Sequence, residues 1–379
     1  MVSVYRLGFS LREVAAEFNV TKSTVQRWVR YASGKRLDRV DFSDPKSGTA
    51  VPPNKSTVGM EKRVLQLRKY LRDKSILGLY GAESIREEML RRGESDVPTS
   101  RTITNILKRY GQIDRRVRQR RTAPPPGWYL PDLLKRKVEL DSFDIVEKLY
   151  LTGGEEIQLF NGISIHGDLI HSSAMNTVTS ENTILALIEH WKQFGLPKYV
   201  PFDNDMVFQG PRKARVIGKV IRLCLSLRVI PVFVTPYEQG FQGKIERFNE
   251  EIQAKFWRRK QFRNLNAVKK YLEQYVMAHR LRQQGNILAA PLRRLFPKRW
   301  KRDDTKRPQG KIIYLRRTDG NGEVYLLEQN FLISNDWINR LVRIEFDLNK
   351  GKLKFFALRR AEWKKQYLLK TISFQLIEN

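Results

Sequence analysis

Three acidic residues stand where they can share a cation: Asp141 in VELDSF and Asp203 in YVPFDN, each closing an apolar run, and Glu246 in TPYEQGFQGKIERFN, which runs from Thr235 to Asn249. The apolar runs predict strands. The proline-and-glycine turn before Glu246 predicts a helix start, and the helix continues as a basic amphipathic segment through Arg259. Two strand ends and one helix can bring three carboxylates onto a pair of hard divalent cations, which take oxygen ligands and would hold a phosphodiester between them. In a chain with 40 acidic residues spacing alone singles out none of them, because an acid most often serves as an ion-pair partner. Strand-end placement and the surrounding words do. His166, His171, His190 and His279 stand singly, none with a partner at metal-ligand spacing.

The elements that must position these acids occupy the middle of the chain. KVELDSFDIV reads as a strand, and EEIQLFNGISIHGDLI and HSSAMNTVTS as two more. NTILALIEHWKQFG has Ile184, Leu187, Ile188 and Trp191 at helical spacing. KYVPFDND, KARVIGKVIRLCLSLR, VIPVFVTP and FQGKIERFNEEIQAKFW then alternate strand and helix, which gives a mixed sheet covered by helices over residues 136–282.

Two helical modules precede this core. In LREVAAEFNVTKSTVQRWVR (residues 11–30, within a module spanning 1–33), Val14, Ala15 and Phe18 form an apolar face, Asn19 takes a left-handed turn, and Thr21 caps a second helix with Val25, Trp28 and Val29 inward. Lys22, Ser23, Gln26, Arg27 and Arg30 fall on its exposed side, which fits a major groove; the alternative is a plain helical hairpin with a solvated basic face. The second module, 60–112, has Ile85, Met89 and Leu90 inward with Gly93 as a stop, then a Thr99 or Ser100 cap and Ile103, Ile106 and Leu107 on one side, placing Arg101 on the surface. Residues 34–59 read as a flexible linker. Residues 113–135 form a basic, proline-rich connector whose Arg116 and Arg118 either lie along phosphates or are simply solvated. After a basic linker at 283–310, KIIYLRRT, EVYLLEQ, RLVRIEFDL and KLKFFALRR alternate apolar with polar around DGNG and NKG turns, so 311–379 reads as a small basic β-barrel.

Composition agrees with a nucleic-acid partner. The 71 Lys+Arg against 40 Asp+Glu leave a net charge of +31, which favours a polyanion and an affinity that falls steeply with salt, although a basic protein of ribosomal type has the same balance. No apolar run approaches the ~20 residues of a membrane span, and the N-terminus lacks a signal-peptide core. One cysteine, Cys224 in an apolar segment, excludes an internal disulfide and thiolate zinc clusters and points to a reducing cytoplasm.

In the order of its parts, and most specifically in PFDND...FQG and TPYEQGFQGKIERFN, the chain resembles bacterial insertion-sequence transposases whose catalytic core is similar to that of retroviral integrases. The resemblance implies a multidomain α+β protein with helix-turn-helix modules in front, an RNase H-like core and an SH3-like barrel behind. It implies that Asp141, Asp203 and Glu246 hold two magnesium or manganese ions for in-line phosphoryl transfer, and that Lys244 and Arg247 meet the phosphate backbone. VELDSFD is similar to the family's first-aspartate strand; Asp141 is taken as its acid because it follows the alternating pair Val138 and Leu140, and Asp144 and Asp168 are expected to be structural. Two departures are Asp205, where the family commonly has glycine, and the 43 positions from Asp203 to Glu246, more than in retroviral integrases. The implied partners are double-stranded DNA, at element ends and target, and further copies in a homodimer or homotetramer at the bacterial nucleoid, with no membrane. The implied activity is cleavage of element ends and joining of 3′-ends to target DNA. The alternatives are an inactive transposase-derived repressor or architectural protein, and a nuclease for RNA–DNA hybrids, against which two helix-turn-helix modules argue.

Overall fold

The computed structural model describes residues 1–43, 56–113, 124–210, 216–236, 238 and 240–376. They divide into two compact units, Met1–Glu61 and Lys62–Asn379. In the first, α1 (Val2–Arg6), α2 (Leu11–Glu17) and α3 (Lys22–Tyr31) enclose Val14, Ala15 and Val25. The local chemistry is that of strong helix starts. Ser10 and Glu13 form a reciprocal capping box on α2, Thr21 accepts from the Thr24 amide at the head of α3, and Asn19 turns the chain between them with φ +48°. Phe18, expected inward, is 42% exposed because α2 stops at Glu17 and Phe18 is already its C-cap.

A second helical group follows α4 (Val58–Lys74), with α5 (Ala82–Arg91) and α6 (Ser100–Arg109). Gly93 at φ +71° ends α5 and Thr99 caps α6. Leu90 is exposed, because the inward positions of α5 are taken by Ile85, Glu88 and Met89; Glu88 tolerates burial by pairing with Arg91 and Arg92, both at 2.7 Å. This group is fastened to the rest of its unit by Arg259, which donates to the carbonyls of Ser75 (2.6 Å) and Arg72 (2.5 Å), and by the pair of Arg282 with Glu87 (2.5 Å).

The core begins with α7 (Pro131–Leu134) and an antiparallel meander of β1 (Asp141–Tyr150), β2 (Glu156–Ser164) and β3 (Ile170–Met175). α8 (Ser180–Phe194) leads to β4 (Tyr199–Phe202), which meets β1 in parallel at the Leu140–Tyr199 bridge; α9 (Met206–Gln209) and α10 (Lys219–Ser226) lead to β5 (Ile230–Phe233), parallel to β4. α11 (Gly243–Lys255), α12 (Leu265–Arg282) and α13 (Gln284–Leu288) complete the helices. One face of this mixed sheet buries Phe143, Phe160 and Phe202 against Ile184, Leu187 and Trp191 of α8 and Val220 and Cys224 of α10. The opposite face buries Leu159 and Ile163 against Ile245, Phe248 and Ile252 of α11 and Leu272 and Tyr275 of α12.

The expected barrel does not close among the described residues. β6 (Lys311–Arg317) instead pairs in parallel with β5, at Val232 with Ile313 and Phe233 with Tyr314, and the β7 (Glu323–Leu326) and β8 (Gln329–Leu332) hairpin stands apart. β9 (Leu341–Asp347), β10 (Lys352–Ala357) and β11 (Leu368–Ser373) continue from β6 antiparallel. One edge of β6 is thus spent on covering β5, whose backbone would otherwise be an open edge. No helix among the described residues is long and apolar enough to cross a membrane.

Candidate active site

Side chains alternate across a strand, so two residues an odd number apart on β1 face opposite sides of the sheet. Asp141 and Asp144 are such a pair, and the structure separates them. Asp141 points into the face covered by α8 and is 1% exposed. Arg293, from the segment after α13, grips it with both nitrogens, 2.8 Å to Oδ2 and 2.6 Å to Oδ1, and His190 Nε2 of α8 lies 3.8 Å from Oδ2. Burial alone would raise this carboxyl, but the Arg293 charge, the two hydrogen bonds from Arg293 and the nearby His190 hold it well below the usual carboxylate range. Burial pushes the adjacent His190 and His171 below the ordinary imidazole value, against the Asp141 charge, which raises both. The expectation that Asp141 joins Asp203 and Glu246 is therefore corrected: its oxygens are consumed by a buried arginine on the wrong face.

Asp144 lies on the face that carries α11. Burial and the charges of Asp203 and Glu246 push its carboxyl up to about 6, against hydrogen bonds from the Ile145 amide and Asn249. Asp203 follows the last residue of β4, and its Oδ1 accepts from the Asp205 amide at 3.1 Å. Burial raises its pKa too, and the charges of Asp205 and Glu147 add to the rise. Glu246, in the first turn of α11, is exposed, and partial burial with the Glu250 charge raises it as well. None of the three carboxylates has a basic partner among the described residues. Asp205, noted above as a departure from the resembled family, caps α9 by accepting from the Val207 amide at 2.7 Å.

A buried polar chain orients Asp144. Ser172 of β3 donates to Asn161 of β2, Asn161 donates to Oδ1 of Asn249 at 2.8 Å, and Asn249 donates to Oδ2 of Asp144 at 2.8 Å. Asn161 and Asn249 are 0% and 8% exposed, so every link is made in a medium where a missing partner is costly. Sequence reasoning missed Asp144 and Asn249. The available signal was parity with the apolar residues of β1: Phe143 and Ile145 belong to the α8 face, which leaves Asp144 for the face of α11.

These three acids fit a divalent cation in donor chemistry: hard oxygens with no arginine or lysine partner among the described residues, the charges of Asp203 and Glu246 both acting on Asp144. As they stand, no three His, Cys, Asp or Glu side chains among the described residues meet closely enough to hold a metal ion. Of the expected DNA contacts, Lys22, Ser23, Gln26, Arg27 and Arg30 are all exposed on α3, with Arg27 lying over the Trp28 ring at 5.2 Å, and Arg101 is exposed on α6. Arg247 is exposed beside Glu246, whereas Lys244 pairs with Asp168 at 2.7 Å and donates to the Ile165 carbonyl. Arg116 and Arg118 lie outside the described residues.

No family model matches the chain, and no curated protein does. Among solved structures it is similar to the HTLV-2 integrase catalytic core domain in complex with magnesium in its dimeric form, at 15% identity over 42% of this chain and 88% of that one, with a TM-score of 0.28. The catalytic core domain of BIV integrase gives 16% identity over 37% and 81%, with a TM-score of 0.27. The simian T-cell lymphotropic virus intasome in complex with PP2A regulatory subunit B56 gamma gives 12% over 76% and 95%, with a TM-score of 0.34. Superpositions this loose leave the chemistry to be argued from the carboxylates themselves.

Proposed function

We propose that this chain is a DNA transposase that binds the ends of a mobile element, cleaves them and joins the 3′-ends to target DNA, with Asp144, Asp203 and Glu246 as its acidic triad. The observation that carries this reading is that the charges of Asp203, at the end of β4, and Glu246, on α11, both act on the Asp144 carboxyl of β1, and that none of the three acids has a basic partner among the described residues. Two magnesium or manganese ions held there would supply activation of water or a 3′-hydroxyl and stabilisation of the leaving oxygen. The chain's own residues do the rest. Asn249 fixes the direction of Asp144, the Asp205 amide fixes Asp203, and α11 carries Glu246 with Arg247 beside it to meet a phosphate. The exposed basic faces of α3 and α6 recognise the element ends, and two ends are held together by a homodimer or homotetramer.

The open spacing of the three acids favours a second reading, a transposase-derived repressor that binds DNA without cutting it. Strand transfer on oligonucleotides carrying the repeats that flank the gene separates the two. A transposase joins them in magnesium or manganese, and Asp144→Asn, Asp203→Asn and Glu246→Gln each abolish joining while DNA binding persists. Specific binding with no joining by the wild type in either metal leaves the repressor.

A further inference from the structure

The strand that opens the C-terminal sheet sets an arginine against the turn that carries Asp203. β6 lies along the end of β5, with the Tyr314 ring stacked on Phe233 at 5.4 Å. Arg316, two residues further on, reaches across the ends of β5 and β4. One guanidinium nitrogen donates to the carbonyls of Leu315 (2.8 Å) and Val234 (3.2 Å), and the other donates to Oδ1 of Asn204 at 2.9 Å. Asn204 donates from Nδ2 to the Val234 carbonyl at 2.7 Å, so its amide is held at both ends. It sits between Asp203 and Asp205, whose own hydrogen bond closes the same turn. All these acceptors of Arg316 are neutral, and among the described residues no carboxylate pairs with it; burial lowers its pKa to about 10. A half-buried guanidinium without an acid partner is a costlier way to tie two strands together than an apolar pair. What the arginine adds is a rigid, directional fork on the residue next to the acid.

We propose that Arg316 is a positioning residue of the active site: through Asn204 it fixes the turn from Phe202 to Asp205 and thereby aims the Asp203 carboxylate, which makes the C-terminal sheet part of the catalytic apparatus. The proposal rests on the reading of Asp203 as a cation ligand given above. Two full-length variants test it. Arg316→Lys keeps the charge and loses the fork, and Asn204→Ala removes the acceptor at a half-buried site that tolerates a smaller side chain. Amide hydrogen exchange over residues 199–209 needs neither cation nor DNA, and both variants are expected to speed it about tenfold while peptides from α8 and α11 are unchanged. Strand transfer is expected to fall about tenfold, with the magnesium concentration for half-maximal rate rising by a similar factor and DNA affinity unaltered. The double variant falls no further than the worse single one. Wild-type exchange in this segment in Arg316→Lys overturns the proposal, and so does faster exchange with unaltered rate and magnesium dependence. A wild-type protein with no strand transfer sinks the reading of the triad instead, and the exchange result then decides whether Arg316 holds the turn.

Discussion

At the scale of the residue, two aspartates on one strand have opposite fates, and mutation distinguishes them. Asp144→Asn removes a proposed cation ligand, so strand transfer should fall at least a hundredfold, as substitutions of residues that only orient such ligands already cost ten- to a hundredfold. The same variant should be more stable than the wild type in metal-free buffer at neutral pH. A carboxyl whose folded pKa is raised, here to about 6, stabilises the fold while protonated and loses that contribution as pH rises through the folded value. The gap at pH 7.5 is then roughly 2–3 kcal/mol, and it should close as pH falls below the ordinary aspartate range. Thermal melts in EDTA across pH 3.5–8 read this directly, and an Asn variant less stable than wild type at pH 7.5 contradicts it. Asp141→Asn reverses the pattern. It strands Arg293 in the interior and should cost about 3–5 kcal/mol, with activity lost only as far as folding is lost. The proposed triad keeps the strand that the letters pointed to but takes its other acid, because the apolar pair Val138 and Leu140 precedes the strand, which begins at Asp141. Nor could the letters reveal that Arg293, 152 positions away, would claim the first acid.

At the scale of the element, the local signals were the most legible. The caps at Thr21 and Thr99 and the stop at Gly93 depend on neighbours within a turn, and all are in place. The inward faces were read less well at their ends, since Phe18 and Leu90 are exposed where a helix stops or where a paired glutamate takes the inner position. The exposed face of α3 gives a graded prediction for DNA binding. Arg30→Ala should weaken binding to every sequence and reduce the salt slope by about one, the signature of a phosphate contact. Gln26→Ala should instead cost roughly 1–3 kcal/mol on the element end alone, since an amide side chain in the major groove reads base edges. Equal losses on specific and random duplexes for both variants, measured by titration at several salt concentrations, would reduce α3 to a solvated basic helix.

At the scale of the whole molecule, the decisive contact is the one least visible in a linear text. Alternation and hairpin turns identify the C-terminal strands, but nothing in them says which edge β6 will use. Its partner β5 is 81 positions back at the Val232–Ile313 pair, and a parallel pairing across such a gap leaves no local pattern. The consequence is a shared interior: Ile312, Tyr314, Val342, Ile344 and Phe355 of the C-terminal strands are buried in the same cluster as Phe202, Cys224 and Phe233 of the core. Core and C-terminal sheet should accordingly unfold together. Calorimetry on residues 62–379 is expected to show one transition for both, and truncation after Gln309 should yield insoluble protein, because it uncovers the β5 edge and the apolar side chains that pack on β6. If the truncated protein instead melts cooperatively near the temperature of the longer one, the C-terminal sheet is an appendage, and Arg316 has no turn to hold.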